Sequence, residues 1–445
     1  MDGKERFYKK VLQIALPVTL QSLLQSSFSV VDQLMIGKLG SASIAGVGLG
    51  AKFASLYSVL LGAVVTVAGI MISQYVGQKE EKEISRSFFV NLFLASGLAI
   101  AFAVISICFP NQIMWLYTKD IETRQIAAAY LRLYALSYLP MAVSMMFATL
   151  LRCTDAAVFP LYASVLSVVM NTGLNYVLIF GKLGLPKLGA RGAAIATVIS
   201  QTAACILIFC FFLHIYRKWS MRLYFVWWFD RVGWKLYQGI LLPILACEFL
   251  WSLGENVYAA IYGNLGTKAC AAMTLTIPVQ TLVMGAMSGL GQAAGIITGK
   301  TLGSRDYDRA YAEAKKFIWG GLAGAAVLAV LLLAVRNYYV GIYEVEDSVQ
   351  ILASRILVVF ALISPVKIQN MILGGGIVRS GGKTKYIMWV DMVGTWIFGV
   401  PLGLVGAFVL KLSIPYVYLL LSLEECVRLG ITLVIFRKKV WMESL

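Results

Sequence analysis

LPVTLQSLLQSSFSVVDQLMIGKLG, residues 16–40, returns 226 positions later as LPILACEFLWSLGENVYAAIYGNLG, residues 242–266. Pro17, Gly37, Leu39 and Gly40 meet Pro243, Gly263, Leu265 and Gly266 in the same register. The next apolar segments close on Tyr75-Val76-Gly77-Gln78 and Thr301-Leu302-Gly303-Ser304, again in step. A register shared over some sixty residues reads as duplication. The two halves start from the same side of a membrane, so they are parallel repeats, the architecture of secondary transporters built around a central cleft.

Composition places the chain in a membrane. Sixty per cent of residues are apolar and 13% charged, and mean hydropathy is +0.80, outside the range of a soluble protein of this length. Apolar runs fall near 11–36, 44–75, 88–110, 126–150, 157–180 and 190–215, then 235–262, 268–299, 313–335, 350–377, 385–410 and 413–436. Each can cross about 30 Å of hydrocarbon at a rise of about 1.5 Å per residue. The expected fold is an all-α membrane protein of twelve transmembrane helices, in two homologous six-helix bundles around a central cavity. The first lobe spans 1–216 (helices 1–6), a cytoplasmic linker 217–234, and the second lobe 235–445 (helices 7–12). The first span follows a charged start and lacks the short core of a cleavable signal, so it should remain as an anchor.

The net charge of +16 invites a nucleic-acid reading, which its distribution opposes. With both termini inside, about 24 of the 38 Lys and Arg are cytoplasmic and about 9 external, as orientation by positive charge requires. No basic stripe interleaved with aromatics suggests base stacking, and no nucleic-acid partner is expected. The expected location is the cell (inner or plasma) membrane, with lipid as the surroundings and a monomer as the unit.

Seven scattered cysteines form no CxxC pair, and the single histidine, His214, lies at a helix end beside Arg217 and Lys218. Neither a disulfide framework nor a zinc site is suggested, and no cofactor is expected. A membrane-embedded enzyme would need a catalytic dyad or metal cluster within the spans. The sequence has no HExxH, and no GxSxG with matching His and Asp, so an enzyme is not expected.

Function should show in polar atoms at membrane depth, where they are costly and face interior space. In helix 1, Gln21, Ser22, Gln25, Ser26, Ser29, Asp32 and Gln33 gather on one side. In helix 7 the same register gives Glu248, Ser252, Glu255 and Asn256, with Trp251 between the acids. Both copies turn a polar face toward a shared space, and each brings a carboxylate to it. Asp32 has no basic residue three or four positions away to neutralise it. It reads as a carboxylate that alternately holds a proton or a sodium ion, against the plainer reading of a solvated or capping group. In helix 5, Asn171 and Asn175 stand one turn apart. Asparagine oxygens ligate hard cations and equally bridge helices. Thr197 can add a hydroxyl, and Gly192-Ala193-Ala194 before it would let helix 6 approach its neighbour closely.

Other charges read structurally. Glu424 and Arg428, one turn apart in helix 12, suggest an internal pair. Asp391 suggests a hydrogen bond within its lobe, and Lys367 could neutralise Glu255 or Glu425. Met284 with Met287 is either an adaptable wall for varied substrates or ordinary core packing.

The chain resembles the multidrug and toxic compound extrusion (MATE) transporters over nearly all its length. The resemblance rests on Leu16-Pro17 with Val31-Asp32 and Gly37-Lys38-Leu39-Gly40, on Tyr75-Val76-Gly77-Gln78, on Leu151-Arg152-Cys153-Thr154-Asp155, and on the Asn171 and Gly192 motifs. It implies two lobes in a V and export of cationic, amphipathic compounds driven by inward sodium ions or protons. It implies that Asp32 serves coupling, and that Asn171, Asn175 and Thr197 line a first-lobe cation site, with Asp32, Asn171 and Asn175 as sodium ligands. Gln25, Ser29, Glu248, Trp251, Glu255 and Met284 are the candidate substrate-cavity residues. The chain departs from the family pattern in three places. Asn175 stands where some members have aspartate. Trp251 stands where some have a helix 7 glutamate, and Ile368, beside Lys367, stands near a helix 10 acid. The rival within the broader superfamily is a lipid-linked precursor flippase. That function would need an arginine-rich cavity, whereas these polar faces are acidic.

Overall fold

In a computed structural model, residues 3–217, 223–225, 230–343 and 345–445 are described, with residues 3, 4, 6, 29, 30, 33, 34, 41, 231 and 232 described in backbone alone. The expected linker lies partly outside the described residues. So does the side chain of Ser29.

The described chain is helical. In the first half run α1 (Gly3–Gly37), α2 (Ser41–Gln78), α3 (Glu81–Cys108), the short α4 (Pro110–Trp115), α5 (Ile121–Tyr134), α6 (Tyr138–Cys153), α7 (Val158–Phe180) and α8 (Ala190–Tyr216). In the second run α9 (Arg231–Asn264), α10 (Thr267–Gly303), α11 (Tyr307–Gly341), α12 (Asp347–Gln369), α13 (Thr384–Met392), α14 (Val400–Leu404) and α15 (Ile414–Arg437). Among the described residues ten helical segments are long and apolar enough to cross a membrane, with α5 and α6 forming one. Helices α1 and α15, of 35 and 24 residues, are also long enough to cross. In α15 the apolar run is interrupted by Glu424, Glu425 and Arg428. Among the described residues that makes twelve long helical segments.

Local chemistry explains the boundaries. Gly40 and Gly266, equivalent in the repeat, precede α2 and α10 with φ of 94° and 105°, a conformation open to glycine and strained for other residues. Both repeats keep glycine there because each makes the same sharp turn between its first two helices. Between α5 and α6 a 3₁₀ turn spans Ala135–Ser137. Pro140 follows it and has no N–H to give to the preceding turn. Helix α3 starts earlier than its apolar run, because Glu81 and Glu83 in the first turn suit the positive end of a helix.

By packing, the chain forms two compact units, Met1–Thr19 with Lys235–Leu445, and Leu20–Trp234. Their division falls inside α1, two residues after Pro17. In the first unit, the start of α1 docks on α10 and α11. Thr19 Oγ1 donates to the Ala286 carbonyl at 3.3 Å, and the Phe7 and Phe317 rings stand 5.4 Å apart, edge to face. Ala272, Ala353, Ile356, Leu357 and Phe360 make one dry core of this unit. In the second unit, α8 runs along α7 so closely that a Cβ at Gly192 would lie 2.7 Å from the Leu178 carbonyl oxygen.

The second half carries a feature without a counterpart in the described first half. Helix α12 continues as a π-helix over Asn370–Val378, and α13 and α14 are joined and followed by π segments at Val393–Gly399 and Val405–Val409. Wide turns of this kind are uncommon and concentrate at functional sites.

Candidate functional site

Within the Leu20–Trp234 unit, α1, α7 and α8 bring Asp32, Asn171, Asn175 and Thr197 into one hydrogen-bonded chain. Asn171 and Asn175, one turn apart on α7, are 4% and 0% exposed. Asn171 gives its N–H groups to Thr197 Oγ1 at 3.2 Å and Ser200 Oγ at 3.1 Å. Its oxygen therefore turns toward Asn175, whose Nδ2 donates to it at 2.7 Å and to Asp32 Oδ1 at 2.7 Å. Thr197 and Ser200 in turn donate to the carbonyls of Ala193 and Thr197. One consequence is an orphan. Asn175 Oδ1 is buried with no hydrogen-bond partner among the described residues. A buried amide oxygen without a donor costs on the order of 1–3 kcal/mol, so the cluster has an acceptor in reserve. Ser200 was not apparent as a candidate from the sequence. Its signal was the i, i+3 spacing from Thr197, which puts both hydroxyls on one face of α8.

The arrangement is one carboxylate amid neutral oxygens. Such a set suits a small hard cation or a proton and offers nothing soft to a transition metal. Among the described residues no group of three or more His, Cys, Asp or Glu could hold a metal.

The candidate cavity residues are placed as follows. Gln25, Trp251 and Glu255 are exposed. Glu248 Oε1 lies 3.6 Å from Arg379 Nη1. Met284 is half-buried against the core formed around Phe360.

In the other unit, the charges form a single network, and Arg428 has a different principal partner from the one its spacing suggested. Its Nε donates to Asp391 Oδ1 at 2.9 Å and its Nη2 reaches the same oxygen. Glu425 and Glu424 stand farther from Nη1, at 3.6 and 3.9 Å. The i, i+4 geometry allows the Glu424 contact, but a planar guanidinium turned toward Asp391 on a neighbouring helix makes the better pair. Lys367 Nζ lies 3.9 Å from Glu425, which also accepts from Asn370 Nδ2 at 2.7 Å. Cys247 donates to Asp391 Oδ2 at 2.6 Å, and the Tyr258 hydroxyl donates to Glu424 Oε2.

The MatE family profile matches residues 17–177 and, a second time, 243–405. The chain belongs to the MatE family. The doubled match restates the internal duplication, with an offset of 226 at its start (17 to 243) and 228 at its end (177 to 405). Relatives of this MatE chain include the probable multidrug resistance protein YoeA of Bacillus subtilis, 26% identical over 93% of this chain and 89% of its own. The uncharacterized transporter YisQ of the same organism is 21% identical over 96% and 94%. The probable multidrug resistance protein NorM of Pasteurella multocida is 25% identical over 89% and 85%. Among solved structures, a mutant of the Vibrio cholerae MATE transporter VcmN superposes with a TM-score of 0.89 at 16% identity, covering 98% of this chain and 97% of that one. A MOP superfamily transporter from Pyrococcus furiosus superposes with a TM-score of 0.87 at 16% identity, covering 97% and 95%. The chain thus has the twelve-helix, two-bundle MATE fold, and it is a multi-pass membrane protein of the multidrug efflux transporter family.

Proposed function

We propose that this protein is a secondary antiporter that exports cationic, amphipathic organic compounds in exchange for sodium ions or protons entering the cell. The observation that carries the reading is the Asp32 cluster. One carboxylate hydrogen-bonded to Asn175, with a spare amide oxygen beside it, can be neutralised by one proton or one small cation. Coupling then follows from competition. The neutralised and the charged cluster favour different conformations, and substrate biases the same equilibrium, so the two loads exchange.

In this proposal the repeat halves, 1–216 and 235–445, are the two lobes about a central cavity, joined by a cytoplasmic 217–234 linker. Asp32, Asn171, Asn175 and Thr197 bind the coupling ion. Gln25, Ser29, Trp251 and Glu255 line the cavity with Glu248 and Met284 nearby. The protein sits as a monomer in the cell membrane, termini inside. The test is uptake of a fluorescent organic cation into vesicles holding the purified protein, under imposed sodium and proton gradients separately. One gradient should drive uptake in the wild type and neither in Asp32→Asn. Uptake driven by neither gradient in the wild type would overturn the proposal.

A further inference from the structure

The repeat register assigns Asp32 of the first half a counterpart in the second, which is Tyr258, 226 residues later. By the 228 offset reached at the end of the family match, Asn171 corresponds to Gly399. Tyr258 and Gly399 meet in space. A Cβ on Gly399 would collide with the Tyr258 hydroxyl and the Glu424 carboxylate, so the glycine leaves room for that pair. The second half therefore keeps a polar cluster at the equivalent place with its chemistry exchanged. The first helix of this half supplies a hydroxyl, and its last helix, α15, supplies the carboxyl.

The charges of this cluster do not balance. Five acids, Glu248, Glu255, Asp391, Glu424 and Glu425, share three cations, Lys367, Arg379 and Arg428. Arg379 is the cation nearest Glu248. Asp391 takes two donors of Arg428, and Glu425 has Lys367 with Asn370. Among the described residues, two of these carboxyls, Glu255 and Glu424, are left without a cation of their own. Glu255 is exposed, whereas Glu424 is 6% exposed. Its ion contact is a 3.9 Å approach to a guanidinium already committed to Asp391. A carboxyl that is buried without its own cation does best neutral.

We propose that Glu424 is a second proton-holding site, with the Tyr258 hydroxyl donating to its carbonyl oxygen and an exchangeable proton on the other oxygen. On release the proton passes to water and the carboxylate remains. The groups facing it are Tyr258 of α9, Lys367 of α12, Thr395 of the π segment after α13, and Glu425 and Arg428 of α15, with Glu255 beyond Tyr258 and Asp391 beyond Arg428. The π turns place Thr395 and Gly399 beside the pair, and their wide backbone is suited to rearranging when the proton leaves.

The test is infrared spectroscopy of the purified protein at neutral pH, comparing ordinary and heavy water. It is made in an Asp32→Asn, Glu255→Gln background, so that neither of those carboxyls contributes and transport is not the readout. A protonated-carboxyl band should be present. Adding Glu424→Gln should abolish it, and adding Tyr258→Phe should keep it but move it to higher frequency, because one hydrogen bond to the carbonyl is gone. Absence of the band in the background protein, its survival in the Glu424→Gln protein, or an unmoved band in the Tyr258→Phe protein would each overturn the proposal. Should the Glu424→Gln protein fail to fold, the Tyr258→Phe shift decides alone.

Discussion

Asn175 Nδ2 stands 2.7 Å from Asp32 Oδ1 and 2.7 Å from Asn171 Oδ1, so both amide hydrogens of one side chain are committed and its oxygen is left over. The amide therefore faces Asp32 as a donor. A cation at Asp32 would require the opposite, an oxygen turned toward it. Rotating the Asn175 amide would bring Oδ1 to the ion and give up the two hydrogen bonds. If the proposed ion binds at Asp32, its occupancy would be linked to that side-chain rotation.

Replacing Asp32 by Asn removes the charge and keeps the shape. We expect gradient-driven export to be lost, with thermal stability within about 1 kcal/mol of wild type, because a neutral hydrogen bond replaces a charge-assisted one. Vesicle transport and a melting curve on the same preparation check both halves of this statement. Full export with unchanged ion dependence would remove Asp32 from the coupling role.

Ser200→Ala takes one of the two acceptors from Asn171 Nδ2 and leaves Thr197. The Asn171 amide is then held less firmly, and apparent affinity for the coupling ion should fall about five-fold, corresponding to roughly 1 kcal/mol. Initial transport rate against ion concentration measures it. An unchanged half-saturation would show that Thr197 alone orients the amide.

How much of this was legible in the residues differs between the two halves. In the first half, Asp32, Asn171, Asn175 and Thr197 stood out because each is polar within an apolar run. Two of them share a helix face at i, i+4, so grouping needed only helical periodicity. Ser200 escaped because serine back-bonds to its own helix and is tolerated anywhere in a span. In the second half, the i, i+4 spacing of Glu424 and Arg428 suggested a pair, yet Asp391, 37 residues away, holds the guanidinium. Spacing within one helix says nothing of a partner on the next. The π segments also move Thr395 and Gly399 off the faces that a 3.6-residue period assigns them.

Gly192 and Gly173 make a matched test of packing in one unit. A Cβ at Gly192 meets the Leu178 carbonyl at 2.7 Å, while one at Gly173 meets nothing within 4 Å. Gly192→Ala should destabilise by about 1–3 kcal/mol, since backbone must move. Gly173→Ala should be neutral or stabilising by up to about 1 kcal/mol, from helix propensity. Thermal unfolding in detergent reads both. Equal effects would mean that α7 and α8 do not approach as closely as described.

Glu255 should govern which substrates are exported without governing the ion that drives them. It shares α9 with Trp251, one turn earlier, and both side chains are exposed. Glu248, one turn earlier again, lies 3.6 Å from Arg379, so in the proposed cavity Glu255 is the carboxylate that an arriving organic cation would meet. A ring face and a carboxylate together attract flat, delocalised positive charge. Glu255→Gln keeps the size and removes the charge. Loss of one charged contact is worth roughly 1–3 kcal/mol, so affinity for a cationic substrate should fall about 5- to 150-fold. A neutral substrate of the same shape has no such contact to lose and should change little. The measurement is half-saturation for a cationic and a neutral compound, each under the same driving gradient. If Glu255→Gln abolishes export of both compounds and erases ion dependence, Glu255 is itself a coupling residue. If both compounds are exported as before, Lys367 already neutralises it, and cation selectivity must come from the aromatic surface of Trp251 alone.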